Sequence, residues 1–177
     1  MGNQVHSRIA EDIPDIRWGV SLDQLGLAST YKYKPQISST EKRRILEQLF
    51  DHALKANIPV LTDAVIGLPP HLNSENSFPW EVANHFALQF GFDDLSNHFV
   101  EKKPLVNKIK NTPIASRSQV ISDNYAFEGR FVGAYPRGIL LLDDFYETGS
   151  TLRSFSIFVK SVFPDAELYA MTMYRKR

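Results

Sequence analysis

The groups in this sequence best suited to chemistry are two adjacent acids, Asp143 and Asp144, followed a few positions later by Thr148-Gly149-Ser150-Thr151. Gly149 lets the backbone turn tightly and approach a ligand, and the orphan N–H groups of a helix starting just after it point into the gap. The hydroxyls of Thr148, Ser150 and Thr151 add donors, and the helix dipole favours a negative charge there by about 0.3 to 1 kcal/mol. Such a loop is a seat for phosphate. Two carboxylates beside it would repel an anion, so they imply either a sugar whose hydroxyls they accept or a Mg2+ ion between them and the phosphate. A phosphorylated ribose satisfies both halves. Glu147, just ahead of the loop, is a candidate general base toward an amine or a base nitrogen; its plainer role is that of a loop carboxylate held by backbone donors or facing water. The same spacing also occurs in ordinary turns from strand to helix, where Thr or Ser caps the helix.

The elements that must position these groups follow from hydrophobic periodicity. Ile139-Leu140-Leu141-Leu142 is a continuous aliphatic run, which suits a parallel strand buried on both faces, and predicts that the acids emerge at its carboxyl end. Leu152, Phe155, Val159 and Val162 then mark a helix ending by Pro164, and Leu168 to Tyr174 reads as a last strand. Upstream, Ser38 and Glu41 have the spacing of a capping box, and Ile45, Leu46, Leu49, Phe50, Ala53 and Leu54 repeat at helical intervals to about Lys55. The pattern turns to β from Ile58, with Ala64 to Leu68 as a short strand halted by Pro69-Pro70. A helix begins near Ser77, carries Val82, Ala83, Phe86, Ala87 and Phe90 on its buried stripe, and ends at Gly91. A weak strand is expected near Asn97 to Val100. Met1 to Asp15 reads as a frayed polar arm and Arg17 to Pro35 as an aromatic loop that folds over something. Glu101 to Asn124 reads as a long basic loop of the kind that forms lids, and Tyr125 to Tyr135 as a hairpin.

The length of 177 residues suits one α/β domain with a sizeable core: a doubly wound parallel sheet flanked by helices (58–177) preceded by a helical or irregular hood (1–57). Lys plus Arg and Asp plus Glu balance at 20 each, so no overall field recruits nucleic acid or an acidic membrane. The chain contains no cysteine, which excludes disulfides and thiolate metal sites. With a polar amino terminus and no run long enough to cross a bilayer, the expectation is a soluble, cytoplasmic protein without a membrane partner.

The order of buried strand, two acids, short spacer and Thr-Gly-Ser-Thr resembles the phosphoribosyl pyrophosphate (PRPP) signature of type I phosphoribosyltransferases. That resemblance implies that Asp143 and Asp144 hold the ribose 2′- and 3′-hydroxyls, directly or with Mg2+, and that Glu147, Thr148, Gly149, Ser150 and Thr151 wrap the 5′-phosphate. In the 6-oxopurine members an acid at the position of Glu147 handles a proton on the purine ring. Phe145 and Tyr146 are bulkier than the family's usual residues there, and with Trp18, Tyr31 and Tyr33 they are candidates for stacking on a planar base. The further order of Val65-Ile66-Gly67-Leu68-Pro69-Pro70, a helix, and a loop containing Lys108 to Pro113 is similar to the ComF-like branch over Ile58 to Tyr174. That branch's amino-terminal zinc-binding cysteines are absent, and Asn76-Ser77-Phe78-Pro79 stands where it carries an arginine. By this resemblance Pro70 and His71 would contact pyrophosphate, with Lys108 and Arg117 closing over it.

The implied activity is Mg2+-dependent transfer of phosphoribose from PRPP to a nucleobase or small amine, with a homodimer compatible with the reading. Two other functions fit the same residues. One is a PRPP-binding regulatory or competence-like accessory protein that has lost turnover. The other is a phosphotransfer protein of the receiver or HAD kind, with Asp143 as nucleophile.

Overall fold

In a computed structural model of the chain, the residues described are 8–21, 38–69, 77–102, 112–129, 134–146 and 148–175. The frame is a five-stranded, wholly parallel sheet. In chain order its strands are β1 (Ile16–Ser21), β2 (Ala64–Gly67), β3 (Asp93–Asp94), β6 (Gly138–Tyr146) and β7 (Glu167–Arg175), arranged in space as β1-β7-β6-β2-β3. A separate antiparallel pair joins β4 (Phe99–Glu101) to β5 (Tyr125–Phe127). The helices are α1 (Arg8–Asp12), α2 (Ser39–Lys55), the single turn α3 (Ile58–Leu61), α4 (Phe78–Phe90), α5 (Ile114–Asn124) and α6 (Ser150–Val162).

The aliphatic run of β6 is buried on both faces. Ile139 and Leu141 join Ile66, Leu168 and Ala170 against Ile9 and Ile13 around α1, Ile121 of α5 and Leu152, Phe155 and Val159 of α6. Leu140 and Leu142 join Val20, Val65, Tyr169 and Met171 against Ile45 and Leu49 of α2 and Val82 and Phe86 of α4. This is a three-layer α/β/α arrangement, and losing alternation in β6 is what two covered faces require.

The winding is consistent throughout. The connections β1 to β2 and β2 to β3 both move toward the β3 edge, with α2 and α4 on one face. The connections β3 to β6 and β6 to β7 move toward the β1 edge, with α5 and α6 on the other. Opposite direction on opposite faces keeps every crossover of one hand, as parallel units demand, and makes this a doubly wound α/β fold. The direction reverses between β2 and β6, which lie side by side with Ala64 paired to Ile139 and Gly67 to Leu142.

Local signals explain several elements. The Ser38 hydroxyl accepts the Glu41 N–H at 3.2 Å while the Glu41 carboxylate accepts the Ser38 N–H at 3.1 Å, so α2 begins on a complete capping box. Gly91 closes α4 at φ 73°, a left-handed turn suited to glycine. Other elements depart from the sequence expectation. Residues 8–21 hold a helix and an edge strand rather than a frayed arm and a loop, because Ile9, Ile13, Ile16 and Val20 are all buried. Ile58 to Leu61 is a helical turn before the strand starts at Ala64. Within the expected basic loop, Ile114 to Asn124 is helical; β5 pairs backward with β4, and residues 130–133 of the expected hairpin lie outside the described residues.

Candidate functional site

The carboxyl ends of β2 and β6 lie side by side where the winding reverses, the position at which open α/β sheets bind ligands. On the β2 side, pairing continues one step past the strand: the Leu68 N–H donates to the Leu142 carbonyl at 2.8 Å, and Pro69 follows half-buried. The Gly67 N–H donates to the Ser96 hydroxyl at 2.8 Å, and that hydroxyl donates to Asp94 at 2.6 Å, which steadies the strand end where β3 is only two residues long. Pro70 and His71 lie outside the described residues, as do Lys108, Glu147, Tyr31, Tyr33 and the side chain of Phe145.

On the β6 side the strand does not stop at Leu142. It continues to Tyr146, with Asp143 paired to Thr172 and Tyr146 to Arg175. The two acids therefore occupy strand positions, whose side chains leave opposite faces of a sheet. Asp143 keeps the parity of Ile139 and Leu141 and is 9 % exposed, its carboxylate accepting the Asp144 N–H at 2.8 Å, while Asp144 is half-buried. In the same row as Asp143, Thr172 donates to Ser21 at 2.7 Å, so a buried polar band crosses β6, β7 and β1 near their carboxyl ends.

The loop itself turns sharply into α6. Gly149 is the N-cap of α6 at φ 67°, and Ser150 begins the helix. The hydroxyls of Thr148 and Ser150 are 2.8 Å apart, and the Ser150 N–H points at the Thr148 oxygen at 3.4 Å. Thr148 is exposed, Thr151 half-buried and Ser150 buried. Arg117 reaches across from α5: its guanidinium donates to the Ser150 hydroxyl, and its Nε donates to the Thr112 carbonyl at 2.9 Å. Only 9 % exposed, Arg117 fixes a positive charge beside the positive end of α6. The arginine expected over pyrophosphate thus stands at the hydroxylated loop.

Two further groups belong here and carry no local sequence signal. The Tyr146 hydroxyl donates to the Asp12 carboxylate at 2.5 Å, and the Arg153 guanidinium donates to the Asp12 main-chain carbonyl. Asp12 and Tyr146 are 134 positions apart, so no spacing rule could have linked them. Trp18, a stacking candidate, is partly buried against the α2 and α4 layer.

The carboxylates of Asp143 and Asp144 are the hard oxygen donors that Mg2+ takes. Among the described residues no three His, Asp or Glu side chains gather as a metal site. Because the Asp143 and Asp144 side chains leave opposite faces of β6, the two do not converge on one ion as placed, and at most one of them would ligate a Mg2+ completed by substrate oxygens and water. A concavity of about 480 Å³ lies outside the sheet layer, between α2 and α4, lined by residues such as Leu46, Phe50 and His85 and by none of the loop residues 148–151.

The fold is that of a doubly wound α/β protein, with a hydroxylated loop beside its switch point. No protein-family profile matches the chain, and no curated protein matches it. Among the described residues no helix is long and apolar enough to cross a membrane.

Proposed function

We propose that this chain is a phosphoribosyltransferase of the type I, ComF-like kind, which transfers phosphoribose from PRPP to a nitrogen of a nucleobase or small amine and releases pyrophosphate. One observation carries the reading: the hydroxylated loop at Thr148 to Ser150 and the segment Leu68-Pro69 end neighbouring parallel strands where the winding reverses. A ligand phosphorylated at both ends of a small sugar needs a second anion-binding stretch beside the first; the Leu68 N–H is given to the Leu142 carbonyl and Pro69 has none, so in this reading that stretch begins after Pro69.

In this reading the amides and hydroxyls of residues 148–151, backed by Arg117, take the 5′-phosphate. A phosphate oxygen arriving there replaces the contact that the Thr148 and Ser150 hydroxyls make with each other. Asp143 and Asp144 accept the ribose hydroxyls. Mg2+, when bound, neutralises charge on the departing pyrophosphate. The C1–O bond to pyrophosphate breaks as the C1–N bond forms, and the nucleophile's proton passes to Glu147 acting as general base. Positioning and charge supply the rest of the acceleration.

A second reading, PRPP binding without turnover, is favoured by a specific feature. Where the ComF-like branch carries an arginine, Ser77, Phe78 and Pro79 are buried at the start of α4 and pack on the end of β2, presenting no cation.

The test is incubation with PRPP, Mg2+ and a pool of nucleobases and amines, following pyrophosphate release alongside PRPP affinity. Transfer predicts release that falls about 100-fold or more in Glu147→Gln with little change in affinity. Binding without release supports the second reading, and neither binding nor release overturns both. A covalent aspartyl-phosphate on Asp143, lost in Asp143→Asn, would support the phosphotransfer alternative instead.

A further inference from the structure

We infer that the amino-terminal helix is a brace for the anion seat: Asp12 holds Tyr146, Tyr146 holds the loop at Gly149, and docking of α1 is thereby coupled to the shape of the loop. The inference rests on reading residues 148–151 as a phosphate seat, and it assigns Asp12 and Tyr146 as positioning residues for that seat.

The contacts form a closed circuit. Tyr146 ends β6 directly before the loop, and its ring is buried beneath it, so close that a Cβ on Gly149 would fall 2.9 Å from both Cε2 and the hydroxyl oxygen. That hydroxyl donates to the Asp12 carboxylate at 2.5 Å. On the far side of the loop, Arg153 donates from its guanidinium to the Asp12 carbonyl and from its backbone N–H to the Gly149 carbonyl, the latter at 2.8 Å. Asp12 is therefore tied to the residues that enter and leave the loop. Its own position is set by Ile9 and Ile13, both 1 % exposed, with Ile9 pressed onto β1 where Gly19 has no side chain to obstruct it. A helix of five residues has little stability of its own, so these contacts are what hold it.

Helix stability can be separated from the brace. A carboxylate in the last turn faces the negative end of a helix, so removing it favours the helix slightly. If Asp12→Ala loosens the loop, the cause is the lost tie to Tyr146 and not a weakened α1. Because coupling is reciprocal, a ligand that orders the loop must also tighten α1.

The experiment is hydrogen–deuterium exchange on the full chain, comparing wild type with Asp12→Ala, Tyr146→Phe and Asp12→Asn. Loss of one charge-assisted hydrogen bond corresponds to about ten-fold faster exchange in peptides covering 148–156. That increase is expected in Asp12→Ala and Tyr146→Phe, with peptides from 167–175 unchanged. Asp12→Asn should remain near wild type, since its side-chain carbonyl still accepts the Tyr146 hydroxyl. Equal exchange of 148–156 in all four proteins overturns the brace. Should Tyr146→Phe fail to fold, Asp12→Ala, on an exposed residue, still decides the matter. In a second arm, ribose 5-phosphate should slow exchange of residues 8–13 as well as 148–156 in wild type, and of 148–156 alone in Asp12→Ala. If wild type does not bind ribose 5-phosphate, the phosphoribose reading fails while the first arm still decides the brace. If it binds and residues 8–13 do not respond, the coupling fails alone.

Discussion

Replacing Gly149 by alanine probes the hydroxylated loop most directly, because two separate costs can be worked out for it. At φ 67° the residue sits in the left-handed region, where a Cβ meets the following carbonyl oxygen at a cost of about 1–2 kcal/mol. The new methyl would also lie 2.9 Å from Tyr146 Cε2 and its hydroxyl oxygen and 3.1 Å from Cζ. The ring is buried and tied to Asp12, so it has little room to yield, and overpacking of this kind costs about 1–3 kcal/mol. The sum is about 2–5 kcal/mol, and at roughly 2–4 °C per kcal/mol for a chain of this size the melting temperature should fall by several degrees or more. Thermal unfolding and calorimetric titration with ribose 5-phosphate are the assays, and affinity should fall with stability. Tyr146→Leu removes the colliding atoms, so Gly149→Ala should cost less in that background, leaving only the left-handed share. Equal costs in the two backgrounds would discard the collision. A Gly149→Ala protein as stable as wild type would refute the loop geometry itself.

Gly67→Ala should lower stability by about 1–3 kcal/mol, because its Cβ would fall 2.6 Å from the Pro79 carbonyl oxygen, a backbone atom that cannot rotate away. Since Trp80 donates from its indole to the Gly67 carbonyl at 3.0 Å, a shift in Trp fluorescence at unchanged pH should accompany the loss; an unchanged spectrum and stability would contradict the packing of α4 on β2. At alkaline pH, Tyr169 should dominate a distinct part of the stability curve. Burial, reinforced by its hydrogen bond to Glu167 and the negative charge there, pushes its hydroxyl up to about 12. Between about pH 10, where an unfolded tyrosine releases its proton, and about 12, the folded chain keeps that proton, so this contribution is complete below pH 10 and is lost as pH rises. Denaturant titrations should show Tyr169→Phe flattening that decline, and an identical slope in the variant would remove Tyr169 as its cause.

Local chemistry made part of this fold legible. The capping box at Ser38 and Glu41, the aliphatic run at Ile139 to Leu142 and the left-handed caps at Gly91 and Gly149 each act over a few residues, so they read the same way in the chain and in the fold. Segments stabilised by distant partners were harder to read. Ile114 to Asn124 carries three Ser and ends in Asp-Asn, residues that are poor helix formers, yet it is helical where it packs on α6, with Ser118 and Ser154 hydroxyls 3.5 Å apart. Ile16 to Ser21 alternates poorly, yet it is a strand because β7, some 150 positions later in sequence, offers it a free edge. The acids were expected past the end of β6, but continued pairing with β7 carries the strand through them to Tyr146.

By itself, the sequence determined the hydroxylated turn, the acid pair before it and an α/β alternation around them, since each depends on the torsional and hydrogen-bonding preferences of neighbouring residues. Only the tertiary structure decided that the winding reverses beside that turn, that Arg117 stands at Ser150, and that Asp12 is fastened to Tyr146. Those outcomes depend on which surfaces the chain buries against each other. Burial acts on apolar area without direction or memory of sequence distance, so it can bring together polar groups that no local pattern connects.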